Sequence, residues 1–201
     1  MIKIHHLKQS RSTRIIWLAE ELGLDYDVIS YDRDENTRLA PVSLREVHPL
    51  GKAPIVEVNG STLVESAAIL EYILDHFAPE KLRPAKTEKA YSQYLQWLHF
   101  AEGSAMLPVL LNMFLAAVDS KDAPVFGYAR KEAELDFAYI NETLADSDYF
   151  CGDLFTAADI MMGSVLAFAQ PQGLLDNYPA ILAYLTRLHQ RPAFIKAASF
   201  G

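Results

Sequence analysis

The sequence predicts an α/β domain built on a four-stranded mixed sheet, followed by an all-helical domain. Three observations carry that reading. The chain opens with a strand, a helix and a strand. Residues 51–77 then hold a hairpin that feeds directly into a helix. From Thr87 onward the apolar residues recur at helical spacing, with no convincing strand.

Ile2–Leu7 alternates as a strand, and Ile15, Leu18, Ala19 and Leu22 fall on one helical face that Gly23 closes as a left-handed cap. Tyr26–Tyr31 reads as the second strand. The crossover through the helix makes these two strands parallel. Asp32–Val47 is charged and irregular, with at most a short helix near Pro41–Glu46. In GKAPIVEVNGSTLVESAAIL, Ile55, Val56 and Val58 make a strand, Asn59-Gly60 a two-residue turn with positive φ, and Thr62–Val64 the return strand. Ser66 then precedes an apolar stripe of Ile69, Leu70, Ile73, Leu74 and Phe77. The Pro-rich, charged segment APEKLRPAKTEK marks the boundary: residues 1–78 form the first domain, 79–88 a linker and 89–201 the helical domain.

In the helical part, Tyr91, Tyr94, Leu95, Leu98, Ala101, Ala105 and Val109 make one long stripe that Pro108 kinks or divides. Ala133, Phe137, Ile140 and Leu144 make a second. Thr156 and Asp159 have the form of a capping box ahead of IMMGSVLAFA, which is apolar on nearly every face and belongs inside a bundle. Pro179 starts a further helix, and Pro192 interrupts before a short last one.

Composition narrows the function. With 18 Lys+Arg against 26 Asp+Glu the net charge is −8, so a nucleic acid or anionic membrane partner lacks a basic surface to meet. Cys151 is the single cysteine, which excludes an internal disulfide or a CxxC pair and suits a reducing compartment. The N-terminus lacks the apolar core of a signal peptide, and the apolar stretch Ala105–Val118 is too short for a membrane span; a cytoplasmic protein is expected. His5 and His6 have no partner at ligand spacing, so no metal is expected.

The candidate chemistry lies at two helix starts. A helix N-terminus offers unpaired N–H groups and about half a positive charge, a place for a carboxylate. Glu65 beside it suits an ammonium group, so Glu65-Ser66 would hold both ends of an α-amino acid. An X-Pro bond admits the cis form, and a cis Ala53–Pro54 would turn main-chain groups toward an extended peptide. The loop Gln9–Thr13 lies between the first strand and the first helix, where α/β sheets place ligands.

HPLGKAPIVEV followed by LVESAAILEYI resembles the glutathione-binding half of the cytosolic glutathione S-transferases, and SRSTRIIWLAEELGL resembles that family's first helix. The likeness extends over essentially all 201 residues and is nearest to a fungal and bacterial branch with serine, rather than tyrosine, in the first loop. It implies a thioredoxin-like first domain, glutathione as co-substrate, and a small electrophile as second substrate. The family's serine falls on Ser10, with Ser12 as runner-up and Arg11 as a further stabiliser of the thiolate. Glu65 and Ser66 are assigned the γ-glutamyl end, Ala53 beside Pro54 the cysteinyl backbone, and Lys52 the glycyl carboxylate. The electrophile is expected against Met106, Leu107, Leu110 and Phe114. A twofold homodimer is implied as well. The same site would also serve a glutathione-dependent disulfide reductase or peroxidase, and a non-catalytic adaptor that kept the fold is the third reading.

Overall fold

The computed structural model describes residues 1–116 and 124–201. The chain divides into two compact units, Met1–Lys81 with Gln190–Gly201, and Leu82–His189. The last twelve residues thus belong with the α/β unit rather than with the helical domain expected over 89–201, and the start of the helical unit at Leu82 lies inside the expected linker.

The first unit holds β1 (Ile2–Leu7), α1 (Thr13–Leu22), β2 (Tyr26–Tyr31), α2 (Leu44–Val47), β3 (Ile55–Val58), β4 (Ser61–Val64), α3 (Ser66–Phe77) and, from the chain's end, α9 (Pro192–Ala198). The sheet order is β2-β1-β3-β4, with β1 parallel to β2 and antiparallel to β3, and β3 antiparallel to β4. This is the mixed four-stranded sheet that the strand pattern predicts. Asn59 and Gly60 turn the hairpin with φ of 50° and 77°, left-handed geometry that asparagine tolerates and that glycine, lacking a Cβ, adopts freely. Gly23 caps α1 at φ 65°, its N–H reaching the carbonyls of Ala19 and Glu20.

Alternation along β1 splits its side chains between the two faces of the sheet. Leu7 packs with Leu44 of α2 and Ile55. His6, on the opposite face, meets the start of α1 and the residues after α9. Phe194 of α9 sets its ring on Trp17 at 5.0 Å and 78°, and the Arg191 guanidinium forks onto Glu21 at 2.6 and 2.8 Å. A short amphipathic helix carries no address in its sequence; these two contacts supply it.

The second unit contains α4 (Ala90–Phe100), α5 (Met106–Leu115), α6 (Pro124–Ala145), α7 (Ala157–Ala169) and α8 (Pro179–His189). Between α4 and α5, residues Ala101–Ala105 form a π turn. Pro108 has no N–H for the Ser104 carbonyl and its ring would crowd it; the wider turn relieves that clash, so the helix is divided just ahead of the proline. The run Ala90–Leu115 is long and apolar enough, by length and composition, to cross a membrane, which the shorter stretch 105–118 is not. The end of that shorter stretch, Val118, lies outside the described residues. Tyr94, Trp97, Leu98, Ala101, Ala105 and Val109 of this run are buried within the unit. Helix α7 is buried on nearly all sides, as its composition predicts.

The start of α7 is closed by its own residues. The Asp159 carboxylate, fully buried, accepts N–H bonds from Phe150 at 3.0 Å and Thr156 at 2.8 Å, and hydroxyl bonds from Thr156 at 3.0 Å and Tyr184 at 3.1 Å. Burial outweighs these four donors and raises its pKa to about 6.

Candidate functional site

The register of the sheet brings three loops to one end. β1 and β4 run the same way and β3 runs against them, with His5 opposite Ile55 and Ile55 opposite Val64. The exit of β1, the approach to β3 and the exit of β4 therefore share an edge, the carboxyl end where open sheets gather ligands. Residues 8–12, Lys52–Pro54 and Glu65-Ser66 leave from that edge.

At the exit of β4, Glu65 stands at φ 72° and ψ 115°, a conformation that costs a residue with a Cβ on the order of 1–3 kcal/mol. The strain sets Ser66 as the first residue of α3. Its hydroxyl is buried and has no hydrogen-bond partner among the described residues. A buried hydroxyl without a partner is destabilising by about 1–3 kcal/mol. Here it sits at a helix start whose first amides also lack partners inside the helix, so donors for an anion are concentrated at one point. The Glu65 carboxylate is exposed beside it.

The Ala53–Pro54 bond is cis. Pro54 is buried, Ala53 packs on the Leu7–Leu44–Ile55 cluster, and Lys52 is exposed.

At the exit of β1, Ser12 is fully buried and Ser10 half-buried. Their hydroxyls lie 2.7 Å apart, and the Ser12 N–H donates to Ser10 Oγ at 3.2 Å. Ser12 Oγ also meets His6 Nδ1 at 2.9 Å and accepts the Leu7 N–H at 3.2 Å. Ser12 occupies the cap position of α1 without a side-chain capping bond, because its hydroxyl is turned back to β1. Arg11 lies between the two serines, half-buried. His6 borders this candidate site and was not among the residues the sequence reading placed there: its partner Ser12 stands six residues on, and only the β1–α1 turn brings the two together.

The four residues expected around an electrophile do not share one environment. Met106 is buried in the helical unit at 4 % exposure, whereas Leu107 at 49 % and Phe114 at 60 % are open. Leu107, Leu110 and Phe114 recur at three and four along α5 and share a face; Met106, one residue earlier, points inward and drops out of the set. Leu107 also borders a cleft of about 160 Å³ with Ser104, Leu111, Tyr128, Glu132 and Asp136. Cys151 is buried and burial pushes its thiol up to about 11, so it stays protonated. Among the described residues no group of three or more His, Cys, Asp or Glu side chains is placed to hold a metal ion.

The profile "Glutathione S-transferase, N-terminal domain" matches residues 1–75 and "Glutathione S-transferase, C-terminal domain" residues 67–192. Glutathione S-transferase 3 of Schizosaccharomyces pombe is 36 % identical, covering 96 % of this chain and 85 % of its own. Glutathione S-transferase 1 of Saccharomyces cerevisiae is 28 % identical over 96 % of this chain and 92 % of its own. Among solved structures, a glutathione S-transferase from Actinobacillus pleuropneumoniae superposes with a TM-score of 0.91 at 34 % identity, covering 99 % of this chain and 92 % of its own. A sphingomonad glutathione S-transferase solved in complex with glutathione has a TM-score of 0.78 at 26 % identity, covering 98 % and 97 %. These fungal and bacterial relatives agree with the branch read from the first-loop serine. By both profiles and by the breadth of its relatives, the chain belongs to the glutathione S-transferase family.

Proposed function

We propose that the chain binds glutathione at the carboxyl edge of its sheet, keeps the sulfur as a thiolate and conjugates it to small electrophiles. One observation carries the reading: among the described residues the buried Ser66 hydroxyl at the start of α3 has no partner, next to a strained, exposed Glu65. The γ-glutamyl carboxylate would take the Ser66 hydroxyl and the α3 amides, and its ammonium the Glu65 carboxylate. Ala53 would pair with the cysteinyl backbone beside Pro54, and Lys52 would meet the glycyl carboxylate.

The sulfur then falls to Ser10, with Arg11 and the start of α1 adding positive potential. Ser12 is held by His6 and Leu7, which leaves Ser10 as the more accessible hydroxyl. A thiol of pKa about 8.5 brought down by roughly two units gains ~3 kcal/mol toward the thiolate. One hydroxyl donor and a helix start supply on the order of 1 kcal/mol or somewhat more each. The electrophile would lie against Leu107, Leu110 and Phe114 of α5. A twofold dimer is part of the same proposal and rests on family membership alone; a cytoplasmic location is supported by the single cysteine.

The test follows thiolate absorbance as glutathione is titrated into wild type and Ser10→Ala. Wild type develops the signal and the variant loses most of it. No signal in wild type returns the adaptor reading. Turnover of a chloronitroarene, compared with that of a hydroperoxide or mixed disulfide, then separates conjugation from reduction.

A further inference from the structure

His6 lies on β1 with its ring fully buried, and both ring nitrogens are engaged. Nε2 meets the Phe200 carbonyl at 3.2 Å. A carbonyl only accepts, so Nε2 carries the hydrogen; in the neutral ring Nδ1 then accepts, and its neighbour at 2.9 Å is the Ser12 hydroxyl. With Ser12 donating to His6, the 2.7 Å contact between the serines has Ser10 as donor. The result is a directed chain, Ser10 to Ser12 to His6 to the Phe200 carbonyl. Its outer end is the half-buried hydroxyl placed above at the sulfur.

We propose that His6 is a positioning residue that takes up the thiol proton of glutathione through Ser12 and Ser10. The inference rests on the glutathione site proposed above. In the step, the S–H bond breaks as its proton passes to Ser10 Oγ, Ser10 passes its own proton to Ser12 Oγ, and Ser12 passes its own to His6 Nδ1. One S–H bond is lost and one N–H bond gained, and nothing is oxidised or reduced. The chain then runs the other way: His6 donates to Ser12, Ser12 to Ser10, and Ser10 to the thiolate. Neutral His6 alone holds Ser10's hydrogen turned inward; protonated His6 turns it out toward the sulfur. After conjugation the proton returns along the same path to the leaving group or to water.

The surroundings of His6 favour its neutral form until the thiolate exists. Burial lowers its pKa and the charge of Lys8 adds to this, while the backbone of Phe200 and Gly201 acts the other way. Lys8, at the end of β1, is the charged side chain that acts on the ring. The elements packed against it carry both signs: Lys3 on β1, Arg11 and Arg14 on the approach to and first turn of α1, Glu20 and Glu21 in its last turn, Asp27 on β2, Glu57 on β3, and Lys196 of α9, which lies over the Phe200 ring. A thiolate at Ser10 adds a negative charge at the outer end of the hydroxyl chain and favours the protonated ring.

Proton counting on the intact chain decides the matter. Glutathione is titrated at neutral pH in two weak buffers of different ionisation enthalpy, with thiolate absorbance followed in parallel and S-methylglutathione as the control without a thiol proton. Wild type should form the thiolate while releasing far less than one proton per thiolate. His6→Asn keeps an oxygen for Ser12 but takes no proton; it should release close to one, and the pH midpoint of kcat/KM should rise by about one unit, a tenfold loss of thiolate below it. Full proton release by wild type with the thiolate present overturns the relay alone, as does an unchanged pH profile in His6→Asn. Absence of thiolate and of glutathione binding in wild type overturns the site and the relay together. Should His6→Asn fail to fold, the wild-type count still decides, and Ser12→Ala interrupts the same chain.

Discussion

Two helix beginnings in this protein meet the same physical demand in opposite ways. Every helix start leaves backbone N–H groups unsatisfied. At α7 the chain answers with its own side chains: Thr156 and Asp159 close a capping box, and Asp159 also gathers the Phe150 N–H and the Tyr184 hydroxyl. At α3 nothing of the kind is done. Its cap residue, Glu65, has positive φ and no side-chain capping bond, and the first hydroxyl inside, on Ser66, has no partner among the described residues. One start stabilises its unit; the other holds its donors ready. The difference teaches that an unsatisfied helix start is informative about ligands where the protein demonstrably knows how to satisfy one elsewhere.

Substitutions break the comparison in graded steps. The largest effect belongs to Asp159→Ala, which leaves two buried N–H groups without an acceptor; denaturant unfolding should show a loss of about 3–4 kcal/mol in the helical unit. Next comes pH. A carboxyl raised to about 6 keeps its proton in the folded state where the unfolded chain has lost it. Its contribution is therefore complete below about pH 4 and lost as pH rises through 6, by up to ~3 kcal/mol. Urea midpoints across that window should fall with pH in wild type, and this component of the slope should vanish in Asp159→Asn.

At α3 the signs reverse. Ser66→Ala removes an unsatisfied hydroxyl, so stability should hold or rise by up to ~1 kcal/mol, while glutathione affinity, read by calorimetry, drops about tenfold. The smallest effect is expected from Glu65→Gly. Glycine accepts φ 72° without strain, and a gain of about 1 kcal/mol in thermal or urea unfolding should accompany weaker glutathione binding. A loss of stability in both α3 variants would erase the distinction between the two starts.

The local chemistry of the fold was legible in the chain. Asn59-Gly60, Gly23 and Thr156-Asp159 each act within a few residues of themselves, and each turn or cap forms as its residues dictate. The long-range decisions were not. Residues 190–201 read as the tail of a helical domain, because Pro192 and a short apolar stripe look alike wherever they pack; the Arg191–Glu21 fork joins residues 170 apart. Met106 fits the same apolar α5 as Leu107, and only packing around the π turn decides which of the two is covered. In the candidate site, the Glu65-Ser66 pair stood out by its position after a hairpin, but no sequence pattern announces that the Ser66 hydroxyl goes unpaired. His6 was passed over because a histidine on a strand has no visible partner until the turn after it is drawn.

The placement of α9 in the first unit bears on how the protein is made. Domains generally fold as units as they leave the ribosome, the N-terminal one first. In this chain the α/β unit is missing a wall, the Phe194 ring on Trp17 and the carbonyl for His6, until the residues after Gln190 have been synthesised. The helical unit, second in the gene's order, has its whole complement of residues sooner. Completion of the α/β unit therefore requires residues 190–201, which set Phe194 on Trp17 and supply the acceptor for His6.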